Sequence, residues 1–196
     1  MRNEKRVARA REIEDAAYRI LEIQGYDGMS VQAVAREAKA SNETIYRWYG
    51  DKTGLFKALI RSNAAQVATA LDSDTADPLK TLAELGPILL SMVLGPRAIA
   101  LNRAAAADGS GTLGQVLARE GRETIRPKVL CIMTRAVEDN QLSGQAEKLT
   151  ETWIALLIGD LQIRRVTGAL PTPSRASVAA RAEDALHHLK QLFPPA

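Results

Sequence analysis

The chain has 196 residues, enough for one large domain or for a small domain joined to a larger one. Hydrophobic residues make up 46% and charged residues 25% of it, which is ordinary for a soluble globular protein. A single cysteine, Cys131, excludes an internal disulfide, and no apolar run approaches the ~20 residues of a membrane span. The charged N-terminus has no apolar stretch behind it, so we expect no secretory signal and a cytoplasmic location.

Positive charge is concentrated at the N-terminus. Residues 1–11 carry five cations against one anion, a local charge of +4, whereas the whole chain has only +3. The remainder is therefore slightly acidic. This basic arm is a candidate phosphate-binding tail, and the simpler interpretation is a solvated, disordered terminus.

Helical periodicity runs through the sequence without an alternating strand pattern, which predicts an all-α fold. The predicted helices, about nine in total, span residues 5–24, 31–38, 42–49, 52–71, 78–94, 97–107, 113–138, 145–167 and 174–192. Ser30, Ser41 and Asp77 are suited to cap three of them, and Gly25 to end the first. Residues 72–77 are polar and predict a loop.

Glycine and proline pairs predict irregularities in the later helices. Gly86-Pro87 and Gly95-Pro96 are expected to break or kink the helical pattern, and Pro127 to bend the helix over 113–138. We expect Cys131, on that same helix, to fill a small slot in the core.

The two short helices separated by Lys39-Ala40 have the spacing of a helix-turn-helix over residues 30–49. In such a unit the first helix packs on the second and leaves one face of the second free to enter the major groove. At 100° per residue, Ile45 and Tyr49 share the inward face. The outward surface carries Glu43 and Arg47, flanked by Thr44 and Tyr46, which are groups suited to bases and phosphates.

The run GYDGMSVQAVAREAKASNETIYRWYGDKTGLFKAL, residues 25–59, resembles the N-terminal module of the TetR family of regulators. The matching positions are Gly25, Ser30-Val31, Val34-Ala35, Ala38, Ser41, Thr44-Ile45-Tyr46, Tyr49, Lys52 and Leu55-Phe56. The resemblance covers about residues 7–67. Beyond it, only the helical layout and the phrase LLIGDLQIRRVTG are similar.

The resemblance implies two domains and a division of roles at the DNA. Residues 1–67 would hold the arm and the DNA-binding domain, and residues 68–196 a helical domain for effector binding and dimerisation. The positions matching base-reading residues are Gln32, Asn42, Glu43, Tyr46 and Arg47. Those matching phosphate-binding residues are Ser30, Thr44, Trp48 and Lys52, although Trp48 could equally pack against the module. Lys52 also lies at a helix N-terminus, which favours anions.

Two positions depart from the family pattern. Lys39 stands where the turn normally has glycine, so a left-handed conformation there would cost about 1 kcal/mol. Tyr49 stands in place of an inward phenylalanine, and its hydroxyl needs a partner or an exit to solvent.

The resemblance further implies a homodimer formed by the last two helices and a pocket for a small-molecule effector. The candidate interface residues are Leu149, Leu157, Leu161, Val178, Ala182, Ala185 and Leu189, and the alternative is that they face their own core. Candidate effector contacts are Arg103, Trp153 and Asp160, each of which could instead be a satisfied core or interface residue.

No catalytic constellation, cofactor motif or metal-ligand spacing is apparent, so we expect neither an enzyme nor a cofactor. His187 and His188 are adjacent on a helix, and their side chains diverge by about 100°. The sequence thus predicts a DNA-binding regulator, in the leading hypothesis a homodimeric repressor that an effector releases. The alternatives are a ligand-independent or activating regulator, and a helical interaction module that has lost DNA binding.

Overall fold

The computed structural model describes residues 2–71 and 77–195, without the side chains of residues 2–3, 66 and 68–71. Over these residues the chain is helical, without strands, as predicted. The α-helices are α1 (Arg2–Gly28), α2 (Val31–Glu37), α3 (Asn42–Tyr49), α4 (Lys52–Leu71), α5 (Pro78–Leu94), α6 (Pro96–Ala107), α7 (Thr112–Leu117), α8 (Glu123–Glu138), α9 (Ala146–Ile158), α10 (Leu161–Val166) and α11 (Arg175–Leu192).

Side-chain caps start three of these helices where the sequence predicts them. Ser30 accepts the backbone N–H of Ala33, and Ser41 accepts that of Thr44. Asp77 accepts two N–H groups at the start of α5, with Pro78 in the first turn. Apart from Asp77, the predicted loop over 72–77 lies outside the described residues.

Helix α1 is longer than expected at both ends. It begins at Arg2, so the basic arm is helical and not disordered within the described residues. The predicted end at Gly25 is a kink, with φ 68° at that glycine, after which helical hydrogen bonding continues to Gly28. A positive φ is accessible to glycine because it has no Cβ.

The two predicted proline irregularities behave differently. Pro96 follows a real break, and α5 and α6 are bent by 52° there. At Gly86-Pro87 no break occurs, because Pro87 lies inside a continuous α5, which matches the helix predicted over 78–94. Gly86 packs so closely that a Cβ there would lie 3.0 Å from the Cβ of Ala182, so tertiary packing holds this segment helical.

Two of the nine predicted stretches are each interrupted. The stretch 113–138 is divided by a π-helical turn, Ala118–Arg122, between α7 and α8. Pro127 lies within α8. The stretch 145–167 is divided after α9 by Gly159, with φ 48°. Nine stretches therefore become eleven α-helices in the described part of the chain.

The chain divides into two compact units. Unit 1 comprises the residues up to 63 together with 100–120, and its core contains Ile13, Ile45 and Phe56, all fully buried. Unit 2 comprises 64–99 and the residues from 121 onward, with a core around Met133 and Trp153. The predicted domains, 1–67 and 68–196, are each one continuous stretch of the chain, whereas each unit combines two stretches. The predicted division stays a prediction.

Membrane-spanning potential is limited to one bent pair of helices. No single described helix is long and apolar enough to cross a membrane. By length and composition only, α5 and α6 meet the criterion when taken together.

Candidate nucleic-acid interface

Helices α2 and α3 form the predicted helix-turn-helix in unit 1. Val34 of α2 and Ile45 of α3 are fully buried in one core. Because Ile45 is the only buried residue of the eight in α3, most of that short helix stays accessible. The burial of one face thus determines which side chains can meet a ligand.

The five predicted base-reading residues are all exposed. On α3, the side chains of Glu43 and Arg47 are 84% and 63% exposed and form an ion pair across one turn, with 3.6 Å between Oε1 and Nη1. Tyr46 is 48% exposed, and the amide of Gln32 donates a long hydrogen bond of 3.5 Å to its hydroxyl. Asn42 opens the helix. The outward face therefore combines a carboxylate, a guanidinium, a phenol and two amides.

The hydroxyls of Ser30 and Thr44 are engaged in local structure. Ser30 Oγ accepts the Ala33 N–H at 3.0 Å, which leaves its own O–H available as a donor. Thr44 Oγ1 lies 2.8 Å from Ser41 Oγ. Both predicted phosphate ligands are half-buried at helix N-termini, where backbone and side-chain donors converge.

Lys52 is held at the first residue of α4 by an aromatic ring. Its Nζ lies 3.9 Å from the centroid of Tyr26, whose ring meets Phe56 edge-on. Burial lowers the pKa of the Lys52 ammonium, while the carboxylate of Asp27 raises it. The ring restricts the lysine without neutralising it, so the ammonium is prepositioned for an anion.

The turn between α2 and α3 adopts the left-handed conformation that glycine usually provides. Lys39 has φ 51°, so the expected cost of about 1 kcal/mol applies. Nη2 of Arg9 donates to the carbonyl of Lys39 at 2.7 Å and also pairs with Glu12. This contact from α1 to the turn spans 30 residues and has no signal in the local sequence.

Trp48 and Tyr49 close α3 on its half-buried side. The guanidinium of Arg6 lies 5.6 Å from the ring centroid of Trp48, so the indole packs within the module and also contacts a cation. The Tyr49 hydroxyl is buried and has no hydrogen-bond partner among the described residues. Burial, with a smaller contribution from Glu14, raises the pKa of Tyr49 to about 12. Within the described part of the chain, this phenol therefore has neither the hydrogen-bond partner nor the solvent exit that we expect for it.

The predicted dimer-interface residues are placed inside unit 2. Six of the seven are buried within the single chain, and only Leu161 is half-buried. In the single chain these six therefore pack the core of unit 2, and their contribution to a dimer contact stays a prediction.

The predicted effector contacts occupy dissimilar environments. Trp153 is fully buried, and its Nε1 has no hydrogen-bond partner among the described residues. Asp160 is exposed and lies 3.9 Å from Arg164. Arg103 is exposed on the part of α6 that belongs to unit 1.

Unit 2 also carries an open groove of about 430 Å³ between α5 and α11. Its lining residues are Ala83, Pro87, Ala179, Ala182, Glu183, Leu186, His187 and Lys190. None of the three predicted effector contacts is among them. No local pattern predicts this groove, because the helices that form it begin 97 residues apart in the sequence.

Other candidate chemistry is sparse. Cys131 is exposed, so the expectation that it fills a core slot is wrong. No group of three or more metal-ligating side chains occurs among the described residues.

Comparisons with known proteins agree with this architecture. The family model of bacterial regulatory proteins, tetR family, matches residues 13–59, and that of the AefR-like transcriptional repressor, C-terminal domain, matches residues 80–189. An uncharacterized HTH-type transcriptional regulator of Mycobacterium tuberculosis is 30% identical over 170 residues, 86% of this chain and 81% of that protein. A second such regulator, from Bacillus subtilis, is 32% identical over 76 residues, only 40% of its length.

Solved structures extend the similarity to nearly the whole chain. A TetR transcriptional regulator from Agrobacterium tumefaciens superimposes with a TM-score of 0.76 at 26% identity, covering 94% of each chain. The regulator FadR from Bacillus subtilis, solved in complex with stearoyl-CoA, has a TM-score of 0.72 at 14% identity, covering 91% of this chain and 96% of that one. At that identity the second comparison shows the fold alone.

Proposed function

Since the chain belongs to the TetR family of bacterial regulatory proteins, DNA-binding transcription factors that are not enzymes, we propose that it is a homodimeric repressor released by a small-molecule effector. The observation that carries the proposal is the exposed polar face of α3, backed by a fully buried Ile45. The similarity of residues 80–189 to the C-terminal domain of a repressor supports the direction of regulation.

The exposed face of α3 is chemically suited to the major groove. Arg47 can bind the O6 and N7 atoms of guanine with two hydrogen bonds, and Glu43 can accept from N4 of cytosine. The two side chains pair with each other in the free protein, and that exposed pair costs little to open. Lys52 and Ser30 would hold the flanking phosphates and thereby set the position of α3.

One recognition helix makes few base contacts, so specific binding requires two copies on a palindrome. The buried residues of α9 and α11 would pack these helices into the core and so hold the interface surface in place. Half-buried apolar side chains remain near them for direct contact, namely Ile154, Ile158 and Leu161, together with Ile163, which is 58% exposed. We place the homodimer contact on this surface.

Effector binding is assigned to unit 2. The FadR regulator, which shares the fold, was solved with stearoyl-CoA, a small molecule with a long apolar tail. Trp153 offers a buried N–H without a partner inside an apolar core, so an effector with a hydrogen-bond acceptor would satisfy it. Asp160 stays a candidate contact in that unit, whereas Arg103 belongs to unit 1 and stays a separate prediction. Effector binding would change the separation of the two recognition helices, which must be about one DNA turn (~34 Å).

An electrophoretic mobility shift with the duplex upstream of the gene tests the DNA-binding step. We expect a complex whose affinity falls steeply with salt and whose stoichiometry, measured by light scattering, is two chains per site. Ile158→Arg should abolish the two-chain complex, and Ile88→Arg, at an exposed apolar residue of α5, is the matched control.

A complex insensitive to every small molecule tested would favour a ligand-independent regulator. Absence of salt-sensitive binding would favour an interaction module. Because the proposed ligand is DNA, we place the protein in the cytoplasm.

A further inference from the structure

Helix α1 has an unusual distribution of charge. Its first part, up to residue 11, has five cations and one anion, a charge of +4. Residues 12–28 have five anions and one cation, a charge of −4. The helix is therefore strongly polarised, with its positive half at the N-terminus.

This polarity is unfavourable for an isolated helix. The helix dipole favours anions near the N-terminus, and a cation within the first turn costs about 0.3–1 kcal/mol. Lys5 and Arg9, four residues apart, also repel each other across one turn. Cations near the helix N-terminus and like charges four residues apart are both unfavourable, and sequences keep such features mainly where a function compensates for them. For a cluster of cations, the compensating group is an anion.

The basic half of α1 lies against the helix-turn-helix at two points. Arg9 donates to the carbonyl of Lys39 in the turn. Arg6 lies 5.6 Å from the ring centroid of Trp48, the residue next to Arg47 at the end of α3. Arg6 itself is exposed, so its guanidinium is held on an aromatic face and still open to a ligand.

The helix-turn-helix needs such a contribution, because it is nearly neutral. Residues 30–49 carry three cations and two anions, a charge of +1. Two of those five charges, Glu43 and Arg47, are paired with each other. The positive field that attracts a polyanion therefore comes mainly from the basic half of α1 and from the start of α4.

We propose that Arg6 binds a backbone phosphate of duplex DNA, and that Trp48 is the positioning residue that holds its guanidinium beside α3. This inference rests on the proposed DNA binding and adds a contact outside the helix-turn-helix. Trp48 thus acts on phosphate through Arg6. The cation–π contact restricts the arginine side chain before DNA arrives, which lowers the entropy lost on binding.

The test measures affinity by fluorescence anisotropy on the upstream duplex and on an unrelated duplex, as a function of salt. Arg6→Gln should weaken both complexes and lower the slope of log K against log[salt] by about 0.9, the value for one phosphate contact. Between 50 and 200 mM salt, the affinity ratio of wild type to variant should therefore narrow by about 3.5-fold. Trp48→Leu, which leaves the Arg6 charge in place, should weaken both complexes with little change of slope, and Trp48→Phe, which keeps an aromatic ring, should restore the affinity.

Arg11→Gln is the matched control. It removes the same charge from the same basic segment, but Arg11 lies about 140° around the helix from Arg6 and has no aromatic neighbour in the described contacts. Its slope should fall less than that of Arg6→Gln, because both variants weaken the diffuse positive field but only Arg6→Gln removes the specific contact. Since Arg6 is exposed, Arg6→Gln should leave the circular dichroism spectrum and the melting temperature unchanged.

The outcomes separate the inference from the function on which it rests. If wild type binds with a steep salt dependence and Arg6→Gln has the wild-type slope, the inference is wrong and the proposed function stands. If the wild-type protein itself shows no salt-sensitive binding, both are wrong. An equal loss of slope in Arg6→Gln and Arg11→Gln would also overturn the inference, because it would indicate a diffuse field without a specific contact.

Discussion

Replacing Tyr49 by phenylalanine should stabilise the protein. The phenol oxygen is buried without a hydrogen-bond partner among the described residues, while the side chain as a whole is half-buried in the core of unit 1. An unsatisfied buried polar group costs about 1–3 kcal/mol, and partial burial of the ring places the cost near the lower end. We therefore expect the free energy of unfolding to rise by about 1 kcal/mol.

Urea unfolding followed by circular dichroism measures this change as a higher midpoint at an unchanged m-value. The melting temperature should rise by roughly 2–4 °C. Tyr46→Phe is the matched control, because it removes an exposed hydroxyl of the same helix and should change stability by less than about 0.5 kcal/mol.

The pH dependence gives an independent check. Burial raises the pKa of Tyr49 from 10.0 to about 12, so the folded state keeps the phenol proton more firmly than the unfolded state. The stability linked to this proton is fully present below pH 10 and is lost as the pH rises from about 10 to about 12. Wild type should therefore lose stability in that interval faster than Tyr49→Phe. The reasoning would be refuted if the phenylalanine variant were less stable than wild type, or if both proteins lost the same stability between about pH 10 and about pH 12. Either result would indicate that the phenol has a partner in solution.

Four further outcomes follow from the interface and its turns. Lys52→Ala should weaken binding to all duplexes and lower the salt slope by about one phosphate contact, measured by anisotropy. Arg47→Ala should relax preference at one base pair, at a cost of about 1–3 kcal/mol on the preferred sequence, and equal losses on every sequence would contradict this division of roles. Lys39→Gly should raise the free energy of unfolding by up to about 1 kcal/mol, because glycine adopts φ 51° without strain, and urea unfolding would show this as a higher midpoint. A lower midpoint would show that the entropy of the unfolded chain outweighs the relief. The N–H of Lys80 is the main cause that lowers the pKa of Asp77 below 3.8, so its contribution is present above that pH and is lost in acid. The stability difference between wild type and Asp77→Asn should therefore vanish as the pH falls below 3.8.

Local chemistry made much of the fold predictable. The caps Ser30, Ser41 and Asp77 act through neighbours two or three residues away, so a single sequence contains their signal. The continuity of α5 through Pro87 has the opposite kind of cause. The helix is continuous because Gly86 packs against a helix almost a hundred residues later in the chain, and no local pattern reports such a contact.

The candidate site likewise combines features that local sequence predicts with contacts between residues far apart in the chain. The exposed face of α3 could be derived from the helical period, because Ile45 marks the buried side. The contacts of Arg6 with Trp48 and of Arg9 with Lys39 join residues 42 and 30 positions apart and could not be predicted from spacing. The apolar stripe that includes Leu149 and Leu189 was ambiguous in principle, since a core and an interface select the same residue types.

Chemical protection of the upstream duplex tests most directly the claim that α3 enters the major groove. Dimethyl sulfate methylates N7 of guanine, an atom that faces this groove. We expect the bound protein to protect guanines in two clusters about one helical turn (~34 Å) apart, or a multiple of that spacing, and Arg47→Ala to restore methylation within each cluster. Salt-sensitive binding that leaves every guanine N7 reactive would contradict the account.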